Sequence, residues 1–332
     1  MTKLNKLLFK ILLASILLFA FSLVFSRKGK SEPKSLESAL LNPKYKNEVA
    51  QIDIQIPSQN GAITLKKQGD FWLLVKNAGE GKTEITTFAD KKLVTSLIEK
   101  ACEIRKLYQI SDKESDFDQL KTSENTASTV SFIGNNDKMY TKLHFGSTNP
   151  LTNRTFVRSQ DSKITFETEN DLSDFLNSDT NYWSEGEILA GLLDERANLV
   201  EISFKKQDFS KKSVNRGSKL DEKSPDFNAK SNTLVSLRHG SIQSMGDDHS
   251  LKTLSPDSIL TAQSGNGRQI ELRFFKISNP ETNEESYFYT RSLKPSPVVD
   301  SQENSFAFYS ENAVYEISAW TYDRIISLFN FL

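Results

Sequence analysis

The sequence predicts an α+β protein carried behind an N-terminal transmembrane helix, with antiparallel sheets each covered on one face by a helix. Three observations predict it. Residues Ile11 to Ser26 (ILLASILLFAFSLVFS) form an uninterrupted apolar or small-residue run, and short stretches of period-two alternation recur through the rest of the chain. Three times, finally, a strand pattern passes through a short polar joint into an amphipathic helical pattern: Ile85 to Ala101, Ile164 to Asn177 and Val314 to Asn330.

The N-terminal run comes first. Lys3, Lys6 and Lys10 precede it, and Arg27, Lys28 and Lys30 close it. Its sixteen residues reach about 24 Å as a helix. Adding Leu7, Leu8 and Phe9, with Lys10 snorkelling to the headgroups, approaches the roughly 30 Å hydrocarbon core. A cleaved secretory signal is the rival reading, with Val24 and Ser26 as small residues before a cut. Bulky Phe25 and basic Arg27-Lys28 suit a helix stop better, so residues 1–28 are expected to be an uncleaved single-pass anchor in the cytoplasmic membrane. With no cysteine near this segment, lipid attachment is excluded. Basic residues at both ends leave the orientation count balanced. A long C-terminal body translocates regardless of that count, which places it on the extracytoplasmic side.

Residues 29–46, rich in Ser, Lys, Glu and Pro, read as a tether. A first α+β domain is expected over 47–186. Ile52, Ile54 and Ile56 alternate, Asn60-Gly61 turns into Ala62 to Lys66, and Gly69-Asp70 turns into Phe71 to Lys76, a β-meander. Leu93, Val94, Leu97, Ile98, Ala101 and Ile104 follow at helical spacing behind Asp90, a good N-cap. Strands are then predicted over Thr129 to Ile133, Met139 to Phe145, Arg154 to Val157 and Ile164 to Glu167, with a short helix from Asn170-Asp171 through Leu172, Phe175 and Leu176.

A second α+β domain is expected over 198–332. It opens on Val200, Ile202 and Phe204 and carries a polar, mobile surface insertion at 205–232. Strands are predicted at Thr233 to Arg238, Ile270 to Ile277, Ser286 to Arg291, Phe306 to Tyr309 and Ala313 to Ser318. A helix with Ile325, Ile326, Leu328 and Phe329 ends the chain.

This layout resembles the bacterial domain of unknown function DUF4340. The resemblance rests on the order of IDIQI, FWLLV with Trp72, the Ala89 to Leu107 helix, HFG at His144 to Gly146, TFVR, ITFET, DLSDFLNS and YWSEG, and it covers Val49 to Gly186. The Phe145 to Thr155 joint and the Tyr182-Trp183 pair agree with the family pattern, whereas Lys205 to Asn232 does not obviously belong to it. The resemblance implies a single-span envelope protein, often encoded beside ABC-transporter subunits of the gliding-motility type, and it brings no catalytic residues to carry over.

Chemistry-bearing motifs are sparse. The 42 basic and 43 acidic residues nearly cancel, which argues against nucleic-acid binding. The single cysteine, Cys102, excludes an intramolecular disulfide and a CxxC site, and reads as a small buried hydrophobe. Of three histidines, His144 is placed inside a strand before a glycine turn in a structural or exposed role, and His239 stands alone. His249 follows Asp247 and Asp248, but consecutive loop residues rarely converge on one ion. Asp112 to Asp118 (DKESDFD) lacks a calcium loop's glycine and bidentate glutamate, having Phe117 and Ser123 there. Ser264-Gly265-Asn266-Gly267 is a turn and no phosphate loop, and no GxSxG elbow occurs. Phe71, Trp72, Tyr182 and Trp183 either line a ligand groove or, flanked by aliphatics, pack in a core. No catalytic, cofactor-binding or metal-binding residue is therefore assigned.

The expectation is a non-enzymatic, membrane-anchored envelope protein with protein partners, an adaptor of an ABC-transporter-type or gliding-motility-like complex. The alternative is an exported ligand-binding protein or hydrolase whose site is scattered along the sequence.

Overall fold

The computed structural model describes residues 34–59, 61–76, 84–192, 199–206, 216–221, 223–244, 254–294, 309–310 and 313–329. They form an α+β structure, mainly β, built on two antiparallel sheets. Among the described residues no helix is long and apolar enough to cross a membrane, and the Ile11 to Ser26 run lies outside them.

The first sheet has ten strands. In chain order they are β1 (Ser35–Ser38), β2 (Val49–Ile56), β3 (Gly61–Gln68), β4 (Phe71–Lys76), β5 (Ile85–Phe88), β6 (Arg105–Ser111), β7 (Ser128–Gly134), β8 (Met139–Asn149), β9 (Arg154–Ser159) and β10 (Thr165–Thr168). Their order across the sheet is β1-β6-β10-β9-β8-β7-β2-β3-β4-β5. Two meanders, β2 to β5 and β7 to β10, thus join through the β2–β7 pair. Alternation works as predicted in β2, whose Ile52, Ile54 and Ile56 are buried while Asp53, on the other face, accepts from Thr64 Oγ1 at 2.8 Å. The β3–β4 turn uses Gly69 at φ +58°, a conformation that costs glycine little.

Helix α1 (Lys91–Cys102) carries the chain from β5, at one edge, to β6, near the other. Asp90 caps it, its carboxylate accepting from the N–H of Lys92 at 2.8 Å and of Leu93 at 3.1 Å. The helix buries Val94, Leu97, Ile98 and Ala101 in one cluster with Trp72, Leu74, Ile52 and Ile54. It stops at Cys102, short of Leu107, because residues 105–111 alternate and form β6 between β1 and β10. Ile104 is accordingly 72% exposed.

Residues 29–46 are not a tether throughout. Ser35–Ser38 pairs antiparallel with β6, Leu41 is fully buried with its N–H on Ala101 O at 2.8 Å, and Pro43–Tyr45 forms a 3-10 turn. A four-residue strand has too few alternations to register locally, and its partner lies some seventy residues on.

After a 3-10 turn (Asn170–Phe175) and the short helix α2 (Thr180–Trp183), the second sheet begins. It comprises β11 (Leu199–Lys206), β12 (Arg216–Asp221), β13 (Ile242–Ser244), β14 (Ser258–Ser264), β15 (Gln269–Ser278), β16 (Glu285–Lys294), β17 (Tyr309–Ser310) and β18 (Ala313–Ile317). The order is β12-β11-β14-β15-β16-β18-β13, with β17 on β16. Helices α3 (Phe227–Ser236) and α4 (Ala319–Leu328) bring Phe227 and Leu234, and Tyr322, Ile325 and Ile326, into one core with the strands.

The 205–232 insertion is folded wherever it is described, with β12 paired to β11 and α3 starting at Phe227. Thr233 to Arg238 is no strand. Phe227, Ser231 and Leu234 recur at four- and three-residue spacing and bury one helix face. Strands β6, β13 and β14 escaped sequence reading, and the 306–308 part of a predicted strand lies outside the described residues.

Strand β4 joins the two bodies. Trp72 and Leu74 point into the α1 cluster, while Leu73, on the opposite face, belongs to the second core with Ile85, Phe88 and residues 188–192.

Candidate functional site

The seam between the sheets holds a cleft of about 380 Å³. Four separate pieces of chain build it: the turn into β4 (Asp70 to Trp72), the β5–α1 joint (Phe88 to Lys92), the stretch from Glu185 to Gly191, and Arg238. Phe71 and Phe88 meet edge to face at 5.4 Å in its apolar wall.

Backbone pairing fixes the 184–188 stretch on both sides. Toward the first sheet, Glu185 N–H donates to Phe88 O and Asp90 N–H to Trp183 O, each at 2.8 Å. Toward the second, Ile188 N–H reaches Leu237 O at 3.1 Å and His239 N–H reaches Gly186 O at 3.0 Å. Arg291, 2% exposed, extends from β16 to the carbonyls of Glu187 (3.1 Å) and Ile188 (3.4 Å) and to the Tyr315 hydroxyl (2.9 Å). Thr87 and Tyr315 hydroxyls also meet, at 2.5 Å, across the seam. Gly191 sits at φ +82°, where a Cβ would stand 2.4 Å from Phe88 Cζ, so the wall admits no side chain there.

Four carboxylates and three cations line the cleft: Asp70, Asp90, Glu185 and Glu187, against Lys91, Lys92 and Arg238. Asp90 is engaged as the α1 cap, and Glu187 stands 3.8 Å from Arg238 at the rim. Burial, then the neighbouring carboxylates of Asp90 and Glu187, push the Glu185 carboxyl above its ordinary range, and Arg238 only partly offsets them. Among the described residues the lining holds acids, cations and apolar walls, and no Ser, Cys or His side chain. It is equipped to bind a charged or mixed group.

Apart from Phe71 and Trp72, the chemistry-bearing residues singled out by sequence fall elsewhere or serve the frame. His239 lies one residue beyond the cleft's Arg238, and its ring nitrogens are each 2.9 Å from a carbonyl oxygen, of Glu185 and Gly240. Asp247, Asp248 and His249 lie outside the described residues. Asp116, in the acidic loop, accepts from Ser111 Oγ at 2.6 Å. Among the described residues no three His, Cys, Asp or Glu side chains gather closely enough to hold a metal ion. Ser264 to Gly267 is the β14–β15 hairpin turn. Trp183 is fully buried with Nε1–H on Asn177 O at 2.7 Å, and Tyr182 packs edge-on against it at 5.3 Å, whereas Phe71 and Trp72 do line the cleft. Sequence reading missed Glu185, Glu187 and Arg238 as a group, since no motif links charged residues fifty positions apart.

His144 is buried completely in β8, and among the described residues neither ring nitrogen has a hydrogen-bond partner. Burial, then the positive charges of Arg158 and Lys142, push its imidazole down to about 4 from an ordinary 6.5. The unfolded chain takes up this proton near pH 6.5 and the folded chain only near pH 4. Stability from this group is therefore whole above pH 6.5 and is lost as pH falls toward 4, by at most about 3 kcal/mol. In urea unfolding at pH 7.5 and 4.5, a His144→Phe variant is expected to lose less stability than the parent on acidification. Equal losses in both would refute the assignment.

The chain matches the model of the family described as a domain of unknown function (DUF4340) over residues 82–258, just over half its length. The match starts later than the resemblance at Val49 and runs through the 205–232 stretch, which therefore falls within the family pattern. It takes in every part of the cleft except Asp70 to Trp72. No curated protein and no solved structure matches the chain.

Proposed function

We propose that this chain, which belongs to the DUF4340 family, is a non-enzymatic adaptor held in the cytoplasmic membrane by its N-terminal helix, its body on the extracytoplasmic side. It serves there as an accessory subunit of a complex of the ABC-transporter or gliding-motility type. The observation that carries this reading is the chemistry of the seam cleft. Its acids and cations suit recognition of a charged segment, and among the described residues it offers no nucleophile beside a base. The basic-flanked apolar run before the body supports the anchor.

The same cleft favours one second reading, an exported ligand-binding protein, because its volume falls within the range of small-molecule sites. Complementation of a strain lacking the gene separates the two. An adaptor depends on the high local concentration that tethering supplies, so an exported body without residues 1–28 is expected to lose function. A folded chain with His144, His239 and His249 replaced together by residues of similar size is expected to keep it. Full activity of the untethered body would favour the ligand-binding protein, and loss in the folded histidine variant would bring back a catalytic role.

A further inference from the structure

The charges of the seam cleft are sorted by depth. Asp90, Glu185 and Glu187 are half-buried, whereas Lys91, Lys92 and Arg238 are all exposed at its mouth. The Glu185 carboxylate accepts from the Glu187 N–H, yet among the described residues it makes no ion pair. Arg238 stands 3.8 Å from Glu187 instead, with its side chain 66% exposed. Burial and two neighbouring carboxylates both disfavour the ionised form of Glu185, and a cation brought against it would offset both.

An anion finds less to hold it. Asp90 already occupies the N–H groups of Lys92 and Leu93 at the start of α1. Lys91 and Lys92, being exposed, keep the strong hydration of their ammonium groups. Beside the acids stands an apolar wall of buried Phe88 and Leu189 with half-buried Phe71. The complementary group therefore has a charged tip on an apolar stem, the build of a long basic side chain.

We propose that the cleft receives a lysine or arginine side chain from an extended segment of a partner protein, its charged end against Glu185 and its stem along Phe71, Phe88 and Leu189. This rests on the adaptor reading above. A volume of about 380 Å³, near the lower end of ligand sites, suits one such side chain with its adjoining backbone. The mouth, with Asp70, Lys91, Lys92 and Arg238, offers both signs of charge to the residues flanking it in the segment.

The test is calorimetric titration of the full chain, in detergent at pH 7.5, with capped tripeptides that place lysine, arginine, acetyl-lysine or glutamate between two leucines. The lysine and arginine peptides are expected to bind at least about ten-fold tighter than the acetyl-lysine peptide, which keeps the stem and loses the charge. Glu185→Gln keeps an acceptor for the Glu187 N–H and is expected to erase that preference. Equal binding of all four peptides, no measurable binding, tighter binding of glutamate, or a preference that survives in the folded Glu185→Gln chain would overturn the proposal. Free hexylamine binding as tightly as the lysine peptide would assign the cleft to a small cationic ligand and also overturn it. Should the glutamine variant fail to fold, carbodiimide coupling of the lysine peptide to the parent chain locates the contact: an amide to Glu185 supports the assignment, and amides only to other carboxylates refute it. Absent peptide binding in a chain whose function still requires residues 1–28 would remove this proposal and leave the adaptor standing. A lysine preference in a chain whose untethered body keeps full function would keep the cleft's charge selection and remove the adaptor.

Discussion

Truncating Trp72 to alanine is expected to cost about 3 to 5 kcal/mol of unfolding free energy. The side chain is 6% exposed and lies in the cluster where α1 meets the first sheet, with Leu74, Val94, Leu97 and Ile98. Removing the indole leaves a void that β4 cannot close. Its opposite face is already occupied by Leu73 and Phe71 against the second core, and its backbone is paired on both sides with β3 and β5. The loss should appear as a lower urea midpoint at unchanged slope. Both sheets should unfold together, since β4 belongs to both cores. A cost below about 1 kcal/mol would show that the cluster does not depend on the indole.

Arg291→Met is expected to be comparably severe, about 3 to 5 kcal/mol, for a different reason. Methionine fills much of the volume but donates nothing. The carbonyls of Glu187 and Ile188 and the Tyr315 hydroxyl each lose a donor at the seam. A buried acceptor left without its donor costs about 1 to 3 kcal/mol. Arg291→Lys should recover only part of the loss, because an ammonium cannot reproduce the spread of the guanidinium across several acceptors. Hydrogen exchange offers the sharper readout. Amides of residues 186–192 should lose protection in both variants, while those of β2 and β7, remote from the seam, should not. Unchanged exchange at 186–192 would mean that Arg291 does not hold the cleft wall.

Both experiments probe the joint between the sheets, and that joint was invisible in the sequence. What the chain declared locally was its periodicity. The isoleucines of β2, the FWLLV strand, Asp90 ahead of the α1 face, and the Ala313–Ile317 strand leading into α4 each carry their pattern within a dozen residues. Local sterics and capping produce such patterns without help from distant chain. The order of these segments was also enough to identify the DUF4340 family.

What sequence could not declare was pairing and convergence. Ser35–Ser38 is a strand because β6 offers it an edge, and SILTAQS is one because β11 and β15 flank it. The stretch around Leu234 and Val235 looks strand-like by propensity, yet burial of Phe227 and Leu234 against the second core makes it helix. The candidate site is the extreme case. Glu185, Asp90 and Arg238 meet only after two sheets pack through β4, and the donor that holds their frame, Arg291, lies about a hundred residues from the carbonyls it binds. By itself the sequence determined the locally periodic strands and helices and the family, because those follow from interactions among near neighbours. Tertiary packing alone decided which faces became buried, that His144 stays uncharged well below its ordinary titration range, and where the cleft opens, because desolvation and charge proximity exist only once distant segments are brought together.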